Sequence, residues 1–302
     1  MTVQLSKEVE GALAAGRPVV ALESTLICHG IPRPRNIRLA LELEAEVRSQ
    51  GATPATIALM DGRIHVGLDE RQIERLGKAN DVEKCSVNAL APVLASRQLG
   101  ATTVASTIYL AQRCGIRFMA TGGIGGVHRG GETSMDVSAD LAELQRSKLV
   151  VVAAGAKIIL DLPRTMEVLE TLGITVVGYQ TDRLPGFYVR ETELGVTAIP
   201  DIANLATLVQ AQSRLNWPSS ILVCNPPPSD LAIASWLIED WLNDALDECR
   251  AIGMTGKNET PYLLKRLAEM SEGRTVELNE ALVRQNAALA AQLAVEVHHT
   301  SG

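Results

Sequence analysis

A glycine-rich segment, TGGIGGVHRGG at 121–131, is the densest candidate site for chemistry in the sequence. Its six glycines let backbone N–H groups approach an anion closely, and His128 and Arg129 add polar and cationic groups. The segment follows a predicted strand, and ligands of α/β proteins bind at the carboxyl ends of strands. This favours an anion cradle over the alternative, a flexible surface loop. The glycine spacing does not match a dinucleotide-binding fingerprint.

Two carboxylates and a hydroxyl follow in SMDVSADL, residues 134–141. Asp136 and Asp140 are four residues apart, so they share a face if this segment is helical, and Ser138 lies between them. Such a set of side chains suits a hard cation, magnesium or manganese, near a phosphate. The alternative is that Asp136 or Ser138 only caps the following helix.

Two further residues stand just beyond predicted strands, where acid–base and covalent chemistry is often placed. Lys157 follows the apolar run LVVVAA at 149–154. A lysine kept away from water is more easily a free amine, the form that a Schiff-base nucleophile needs. The alternative is a lysine whose ammonium group reaches the surface. Glu23 directly follows the strand PVVAL at 18–22 and is a candidate acid or base; its alternative is a salt-bridge or capping role.

The remaining candidate side chains carry little signal by themselves. His29 is better explained as a structural histidine, and Lys84, next to Glu83, as a surface lysine. The five cysteines form no C-x-x-C pair. This argues against a disulfide framework or a structural zinc site and is typical of a reducing compartment.

The composition argues against several classes of partner. Lysine and arginine total 28 against 35 aspartates and glutamates, a net charge of −7, and aromatic residues make up 3%. Neither value is typical of a protein that binds nucleic acid. The N-terminus carries Lys7, Glu8 and Glu10 where a signal peptide is apolar, and no apolar stretch is long enough to span a bilayer. We therefore expect a cytoplasmic protein that binds neither nucleic acid nor membrane.

The elements that must position these residues alternate between helix and strand. Strands are predicted at 18–22, 116–120, 149–154, 174–179 and 220–224, and helices at 6–15, 36–50 (with Asn36 as its N-cap), 106–113, 140–147, 165–172 and 202–214. A hairpin is predicted at Asp61-Gly62 and a capping box at Asp69 with Gln72. The final third is predicted to be helical near 229–250, 260–271 and 275–298. We therefore predict an α/β fold in a single domain over 1–302: a three-layer α/β/α sandwich around a mixed, mostly parallel sheet, with a helical C-terminal third.

Six blocks of the sequence, taken in order, resemble the pseudouridine-5′-phosphate glycosidase family. They are ALESTLICHGIPRPRN, GATPATIALMDGRIHVGL, GATTVASTIYLA, TGGIGGVHRGGETSMDVSADLAEL, VVAAGAKIILDLPRTMEVLETLGITVVGYQTD and GKNETPYLL, and the resemblance covers roughly residues 5–298. It implies reversible cleavage of the C–C glycosidic bond of pseudouridine 5′-phosphate into uracil and ribose 5-phosphate. It further implies a divalent cation, typically Mn²⁺, and a homotrimer of α/β/α subunits.

The resemblance also implies roles for individual residues. Lys157 aligns with the nucleophile of the family, Glu23 with its proton donor and Asp136 with its metal-binding aspartate. The implied substrate-binding positions are Lys84, Val104, Thr121, His128, Ser138, Ala139, Asp140 and an asparagine near the C-terminus, for which Asn279 is a better match than Asn286. Within this set, Thr121, His128 and Ser138 are the implied phosphate contacts. One departure lies after Lys84, where SVNALAP (86–92) replaces the Arg-Asp-containing stretch that is usual in the family.

The chemistry of a C-glycoside explains why these residue types are needed. Its anomeric carbon has no heteroatom leaving group, so protonation of a glycosidic oxygen by paired carboxylates is not available. In one route the ribose ring opens, Lys157 takes C1′ as an imine and Glu23 protonates C5 of the departing uracil. Asp140 then handles the proton of the ring oxygen. Two alternatives stay open: another imine-forming lyase or aldolase acting on a phosphorylated sugar, and a non-catalytic sugar-phosphate-binding protein.

Overall fold

The computed structural model describes residues 3–254 and 259–300. The strands in this part of the chain are β1 Val3–Leu5, β2 Val19–Leu22, β3 Thr53–Met60, β4 Arg63–Val66, β5 Glu83–Cys85, β6 Gly100–Thr102, β7 Phe118–Ala120, β8 Val150–Ala153, β9 Thr175–Tyr179, β10 Thr197–Ile199 and β11 Ile221–Cys224. The α-helices are α1 Lys7–Ala14, α2 Arg35–Ser49, α3 Glu70–Lys78, α4 Leu90–Ser96, α5 Val104–Arg113, α6 Gly131–Ser134, α7 Ala139–Arg146, α8 Leu162–Thr171, α9 Ile202–Arg214, α10 Ser235–Ala251, α11 Glu259–Met270 and α12 Arg274–Thr300. A π-helix at Leu26–Gly30 and a 3₁₀ turn at Val87–Ala89 are also present.

The strands form one mixed sheet in the order β1-β4-β3-β2-β7-β8-β11-β9-β10, with β6 beside β3 and β5 beside β6. Every neighbouring pair from β3 to β10 is parallel. Antiparallel pairing occurs where the second half of β3 meets β4 and β6. The hairpin between β3 and β4 turns at Asp61 and Gly62, as predicted; both have positive φ, which is typical of a tight two-residue turn.

Helices cover both faces of the central strands. Every side chain of β2, β8 and β11 is buried, which is typical of a parallel sheet packed between two layers. α5 and α12 both pack on β2, and α12 also packs on β7, β8, α2 and α9. The predicted three-layer α/β/α sandwich with a helical C-terminal third is therefore confirmed.

The longest of the described helices, α12, runs for 27 residues across the sheet. Four of its alanines, Ala287, Ala290, Ala291 and Ala294, are buried where it packs, and such small side chains let a helix approach its neighbours closely. None of the helices within 3–254 and 259–300 is both long and apolar enough to cross a membrane.

Some predicted helix starts are correct and others are wrong: α5 begins at Val104 instead of 106, and α8 begins at Leu162 instead of 165. Ser6 caps α1, and Asp69 forms the predicted capping box at the start of α3. The prediction that Asn36 caps α2 is wrong, because α2 already begins at Arg35 and Asn36 lies inside it. The buried side-chain amide of Asn36 donates to the carbonyl oxygens of Ile27 (2.8 Å) and Gly77 (3.1 Å). Asn36 thus links the π-helix to α3.

Several short elements of the structure leave no signal in the sequence. The strands β1, β5, β6 and β10 have three residues each, which is too few to show an alternation of apolar and polar side chains. The π-helix could not be predicted either, because its residues are equally compatible with an ordinary turn. This matters for the site, because Lys84 lies in β5.

Gly155 offers a test of how tightly the chain bends after β8. Its φ is +75°, and a methyl group there would overlap the backbone carbonyl of Pro185. We expect Gly155→Ala to lower the free energy of unfolding by roughly 2–5 kcal/mol, through left-handed strain and displaced backbone. Gly16→Ala is the matched control, because Gly16 has φ +65° with nothing within 4 Å, and it should cost about 1 kcal/mol. Urea denaturation measures both variants; equal losses would show that Pro185 does not constrain the bend.

Candidate active site

Three neighbouring parallel strands deliver polar side chains to one cavity of about 450 Å³. Glu23 directly follows β2, Thr121 directly follows β7, and Lys157 lies four residues after β8. Because β2, β7 and β8 are adjacent and parallel, their carboxyl ends meet at the same edge of the sheet. The three side chains therefore line the same cavity.

The structure brings together the residues that the resemblance assigned to the site, with Asn279 as the asparagine of α12. The cavity is lined by Glu23, Lys84, Val104, Thr121, His128, Asp136, Ser138, Ala139, Asp140, Lys157 and Asn279. Their individual roles stay predictions. Arg129, which the glycine-rich motif suggested as a cationic group, is exposed instead and donates to the carbonyl oxygen of Ile158 at 3.3 Å.

Further lining residues were missed because nothing in their sequence context marks them. They are Thr25, Leu26, His29, Phe187, Thr260, Pro261 and Leu264, among others. His29, considered structural from the sequence, stands on the π-helix at the cavity, and burial is the main cause that lowers the pKa of its imidazole. A π-helix at a cavity is a signal for a functional position, but it is visible only in the structure.

Glu23 is half-buried in the cavity wall, and this burial raises the pKa of its carboxyl group. The positive charge of Lys157 and the hydrogen bond donated by the hydroxyl of Thr121 act in the opposite direction. The net shift is upward, so Glu23 keeps its proton at higher pH than an ordinary glutamate. A carboxyl group held in this way can act as a general acid near neutral pH.

Two lysines, Lys84 and Lys157, line the cavity together with this acid. Burial lowers the pKa of Lys84, the charge of Lys157 lowers it further, and the carboxylates of Asp140 and Glu23 oppose the shift. Lys157 is half-buried and lines the cavity, so it is not the surface lysine of the alternative interpretation. Lys84 is likewise half-buried rather than a surface lysine. The site therefore holds two amines beside two carboxyl groups.

Asp140 is buried in the first turn of α7 and ties three segments together. One carboxylate oxygen accepts the N–H of Ala105 at the start of α5 (2.8 Å), and the other accepts the N–H of Gly125 in the glycine-rich loop (2.7 Å). The hydroxyl of Ser138 accepts the N–H of Asp140 (3.2 Å) and caps α7, as the capping alternative predicted.

The prediction that Asp136 and Asp140 share a helix face is wrong. α7 begins at Ala139, and Asp136 lies before it, after a left-handed turn at Met135 with φ +58°. Between the two carboxylates, Val137 forms a β-bridge with Val127 and Ser138 is extended, so no helix face is shared. Asp136 points toward His128 instead, with 4.0 Å between Asp136 Oδ2 and His128 Nδ1.

The glycine-rich loop is held in place by hydrogen bonds. Several of its backbone N–H groups already donate to other segments of the protein. The N–H groups of Ile124, Gly125 and Val127 donate to Gly155 O (3.1 Å), Asp140 and the hydroxyl of Thr165 (3.0 Å), respectively. A side chain at Gly125 would overlap Ser138, and one at Gly126 would overlap Thr165. The glycines thus let the loop pass beneath α7 and α8, and these three amides are not available to an anion.

The two candidate asparagines of α12 have different environments. The amide of Asn286 donates to the carbonyl oxygen of Thr121 (2.8 Å), and its oxygen accepts from Asn225 (3.0 Å), all within the buried core. Asn279 is 6% exposed and lines the cavity, and its buried Oδ1 has no hydrogen-bond partner among the described residues. Orphaned polar atoms of this kind are rare in native proteins, and ligands often satisfy them. Asn279 is therefore the asparagine placed to meet a ligand.

One cluster at the cavity has the donor types and spacing of a metal site. A ring nitrogen of His128 and carboxylate oxygens of Asp136 and Glu259 all lie within 4.8 Å of one another. Imidazole and carboxylate donors fit a divalent cation such as Mn²⁺. Of these three residues, Glu259 was missed by the sequence analysis; its block, GKNETPYLL, carries the resemblance but no spacing that identifies a ligand.

The departure at 86–92 contributes to the cavity itself. Ser86, Asn88 and Ala89 line it beside Lys84. Uncharged side chains of modest size therefore stand in this part of the cavity wall.

Comparison with known proteins gives a consistent set of relatives. Residues 8–296 match the family described as indigoidine synthase A-like protein. A pseudouridine-5′-phosphate glycosidase of Symbiobacterium thermophilum is 50% identical over 293 residues, which cover 95% of each chain. The glycosidase of the same name from Staphylococcus aureus is 46% identical over 297 residues, 98% of this chain and 97% of the relative.

Two solved structures share the whole fold. The prealnumycin C-glycosynthase AlnA, in complex with ribulose 5-phosphate, has a TM-score of 0.92 at 38% identity, covering 100% of this chain and 98% of that one. An indigoidine synthase A-like protein from Thermotoga maritima has a TM-score of 0.90 at 34% identity, covering 99% and 97%. The similarity thus extends over the chain and is not confined to one motif.

The contrast between the two asparagines is testable through stability. We expect Asn286→Ala to lower the free energy of unfolding by roughly 1–3 kcal/mol, because Thr121 and Asn225 lose a buried partner. Asn279→Ala should leave it nearly unchanged, because the Asn279 Oδ1 accepts no hydrogen bond from any residue within 3–254 and 259–300. Urea denaturation of both variants measures the difference. A loss in Asn279→Ala as large as that in Asn286→Ala would contradict a ligand-facing role.

Proposed function

The chain belongs to the indigoidine synthase A-like family, together with pseudouridine-5′-phosphate glycosidases, and from this membership we propose its reaction. The family predicted from six sequence blocks is thereby confirmed. We propose that the enzyme reversibly cleaves the C–C glycosidic bond of pseudouridine 5′-phosphate to uracil and ribose 5-phosphate. The observation that carries the proposal is the convergence of Glu23, Lys84 and Lys157 in one cavity. The ribulose 5-phosphate bound by a protein of the same fold supports a sugar phosphate as the ligand class.

In the proposed cleavage, Lys157 forms a covalent bond to C1′ of the sugar. Opening of the ribose ring breaks the C1′–O4′ bond and gives O4′ a proton, after which the amine of Lys157 adds to C1′. As the nitrogen lone pair forms the C1′=N bond, the C1′–C5 bond breaks and its electron pair goes to C5 of uracil. Water then hydrolyses the imine, which releases ribose 5-phosphate and restores the lysine.

Glu23 is the proposed donor of the proton that C5 of uracil receives. Its raised pKa favours the protonated carboxyl group, the form that can donate a proton. Lys157 is close enough for its positive charge to act on the pKa of Glu23. In the reverse direction the Glu23 carboxylate takes the same proton back from C5. Thr121 orients the carboxyl group through the hydrogen bond that its hydroxyl donates.

Asp140 is proposed to handle the proton of the ring oxygen. Each of its carboxylate oxygens already accepts one backbone N–H, which fixes the group in place. A proton exchanged with O4′ therefore uses the remaining lone pairs of those oxygens. Lys84 is proposed to bind the substrate, and Asn279 to accept a hydrogen bond from an N–H group of uracil, with Val104 at the wall of the cavity.

The phosphate is proposed to bind at the end of the cavity that carries His128, Ser138 and Ala139. The hydroxyl of Thr121, an implied phosphate contact, donates to Glu23 instead. The donor set of His128, Asp136 and Glu259 fits Mn²⁺, which we propose as the cation. When bound, it supplies positive charge beside the phosphate and orders water around the sugar. Because imidazole has two nitrogens, His128 can face the cation with one and the phosphate with the other. The phosphate is remote from the bond that breaks. Its binding energy can therefore position the sugar and the uracil relative to the catalytic residues.

The first test is release of uracil from pseudouridine 5′-phosphate by the purified protein with Mn²⁺, measured by chromatography. We expect turnover that EDTA abolishes and that Lys157→Ala reduces at least about 10³-fold, because the nucleophile is lost. Lys78→Ala, at an exposed lysine of α3, is the matched control and should keep full turnover. Borohydride added with ribose 5-phosphate should reduce an imine and label Lys157.

The same experiment separates the competing functions. Labelling of Lys157 without release of uracil would favour another imine-forming lyase or aldolase. Binding of ribose 5-phosphate with neither labelling nor turnover would favour a non-catalytic sugar-phosphate-binding protein. Uracil release without any adduct at Lys157 would remove the imine from the scheme while keeping the glycosidase. The homotrimer stays a prediction, which light scattering on the purified protein checks.

The raised pKa of Glu23 predicts the pH dependence of cleavage. As the pH rises through this pKa, the acid loses the proton that it must donate, so kcat for uracil release should fall on the alkaline side. Glu23→Gln should lower kcat by roughly 10²–10⁴-fold and remove that alkaline limb. Initial rates between pH 5 and 9 measure both effects. An unchanged alkaline limb in Glu23→Gln would assign the titrating group elsewhere.

A further inference from the structure

The residues of the cation cluster come from three separate parts of the chain. His128 lies within the glycine-rich segment, Asp136 precedes α7, and Glu259 is the first residue of α11 in the C-terminal helical layer. The ligand atoms lie within 4.8 Å of one another. Two ligand atoms on opposite sides of an ion with bonds of about 2.1 Å lie about 4.2 Å apart. The cluster is thus only slightly wider than a loaded site.

The backbone holds two of these residues in register before any ion arrives. Val127 and Val137 form an antiparallel bridge, and the N–H of His128 donates to the carbonyl oxygen of Asp136 at 3.0 Å. At 4.0 Å, the distance from His128 Nδ1 to Asp136 Oδ2 is too long for a hydrogen bond. This pair is therefore a preformed half of the site, and the remaining half has to come from another element.

Glu259 is the residue that the fold brings to the open side of this pair. The next turns of α11 contribute Thr260, Pro261 and Leu264 to the cavity wall, so the start of this helix lies at the catalytic edge of the sheet. We propose that Glu259 is a ligand of the divalent cation, and that the cation fastens α11 to the edge of the sheet that carries the catalytic residues. This inference rests on the cation of the proposed function.

Charge explains why this arrangement links the cation to the sugar phosphate. Asp136 and Glu259 place two carboxylates at the cavity that is proposed to receive a phosphate, and like charges at this distance repel. A cation between them offsets the repulsion and adds attraction for the phosphate. Cation and sugar phosphate should therefore strengthen each other's binding, as coupled sites must. Loss of the Glu259 charge should weaken the binding of the cation but relieve part of the repulsion in its absence.

The test is a titration of the full-length protein with Mn²⁺ alone, in which electron paramagnetic resonance measures the free ion. We expect Glu259→Gln to weaken Mn²⁺ binding at least about tenfold, because a ligand is lost. Glu259→Asp, which keeps the charge but shortens the reach, should also bind more weakly than the wild type. The matched control is Glu239→Gln on the exposed surface of α10, which should bind Mn²⁺ as the wild type does. Wild-type affinity in Glu259→Gln, or no binding to the wild type, overturns the proposal.

A second measurement distinguishes a ligand from a residue that merely supports the helix. Calorimetry with ribose 5-phosphate should show that Mn²⁺ strengthens its binding to the wild type, and that this gain shrinks in Glu259→Gln. Without Mn²⁺, Glu259→Gln should bind ribose 5-phosphate at least as tightly as the wild type, a result that a damaged fold would not produce. Weaker binding of the sugar phosphate by Glu259→Gln in the absence of metal would contradict the proposal.

The outcome for Glu259 is separable from that of the glycosidase reaction, because the Mn²⁺ titration requires no turnover. Mn²⁺ binding that depends on Glu259 without any release of uracil would uphold the ligand and refute the reaction. Release of uracil with Mn²⁺ binding unaffected in Glu259→Gln would uphold the reaction and refute the ligand.

Discussion

The geometry of the cavity depends on the buried carboxylate of Asp140. Its two oxygens accept backbone N–H groups from the start of α5 and from the glycine-rich loop, while its own N–H is capped by Ser138. A buried carboxylate is stable only when it is hydrogen-bonded in this way. One residue thus sets the distance between α5, α7 and the loop that leads from β7 to the site. The glycines of the loop are required because side chains at Gly125 and Gly126 would not fit beneath the helices.

The balance of charge in the cavity follows from this framework. Burial lowers the pKa of Lys84, and the positive charge of Lys157 lowers it further. The same burial favours the neutral acid at Glu23, against the attraction of Lys157. The cavity thus holds an amine, Lys84, whose pKa is lowered, beside an acid, Glu23, whose pKa is raised. Both arise because four ionisable groups are confined to one partly dehydrated space.

The C-terminal helices complete the site rather than merely covering the sheet. α12 packs on β2, β7 and β8. Its two asparagines have different environments. Asn286 donates to the carbonyl oxygen of Thr121 in the core, and Asn279 lines the cavity with an Oδ1 that has no hydrogen-bond partner in the described part of the chain. α11 adds Glu259 and part of the wall. A site split in this way between a rigid sheet edge and a helical layer requires the two layers to be packed correctly before it can bind its ligands.

Much of the site was accessible from the sequence because chain connectivity determines it. Glu23 and Lys157 lie within a few residues of strands whose apolar runs are unmistakable, so their arrival at the sheet edge follows from the α/β pattern. The family and the fold class were likewise encoded in motif order and in the alternation of strands and helices. The tertiary structure decided what depends on distant contacts. The extended residues Val137 and Ser138 keep Asp136 off the helix that carries Asp140, and the three-residue strand β5 places Lys84 half-buried at the cavity. Glu259 meets Asp136 from more than a hundred residues away, because the packing of whole layers, which no local pattern specifies, brings them together.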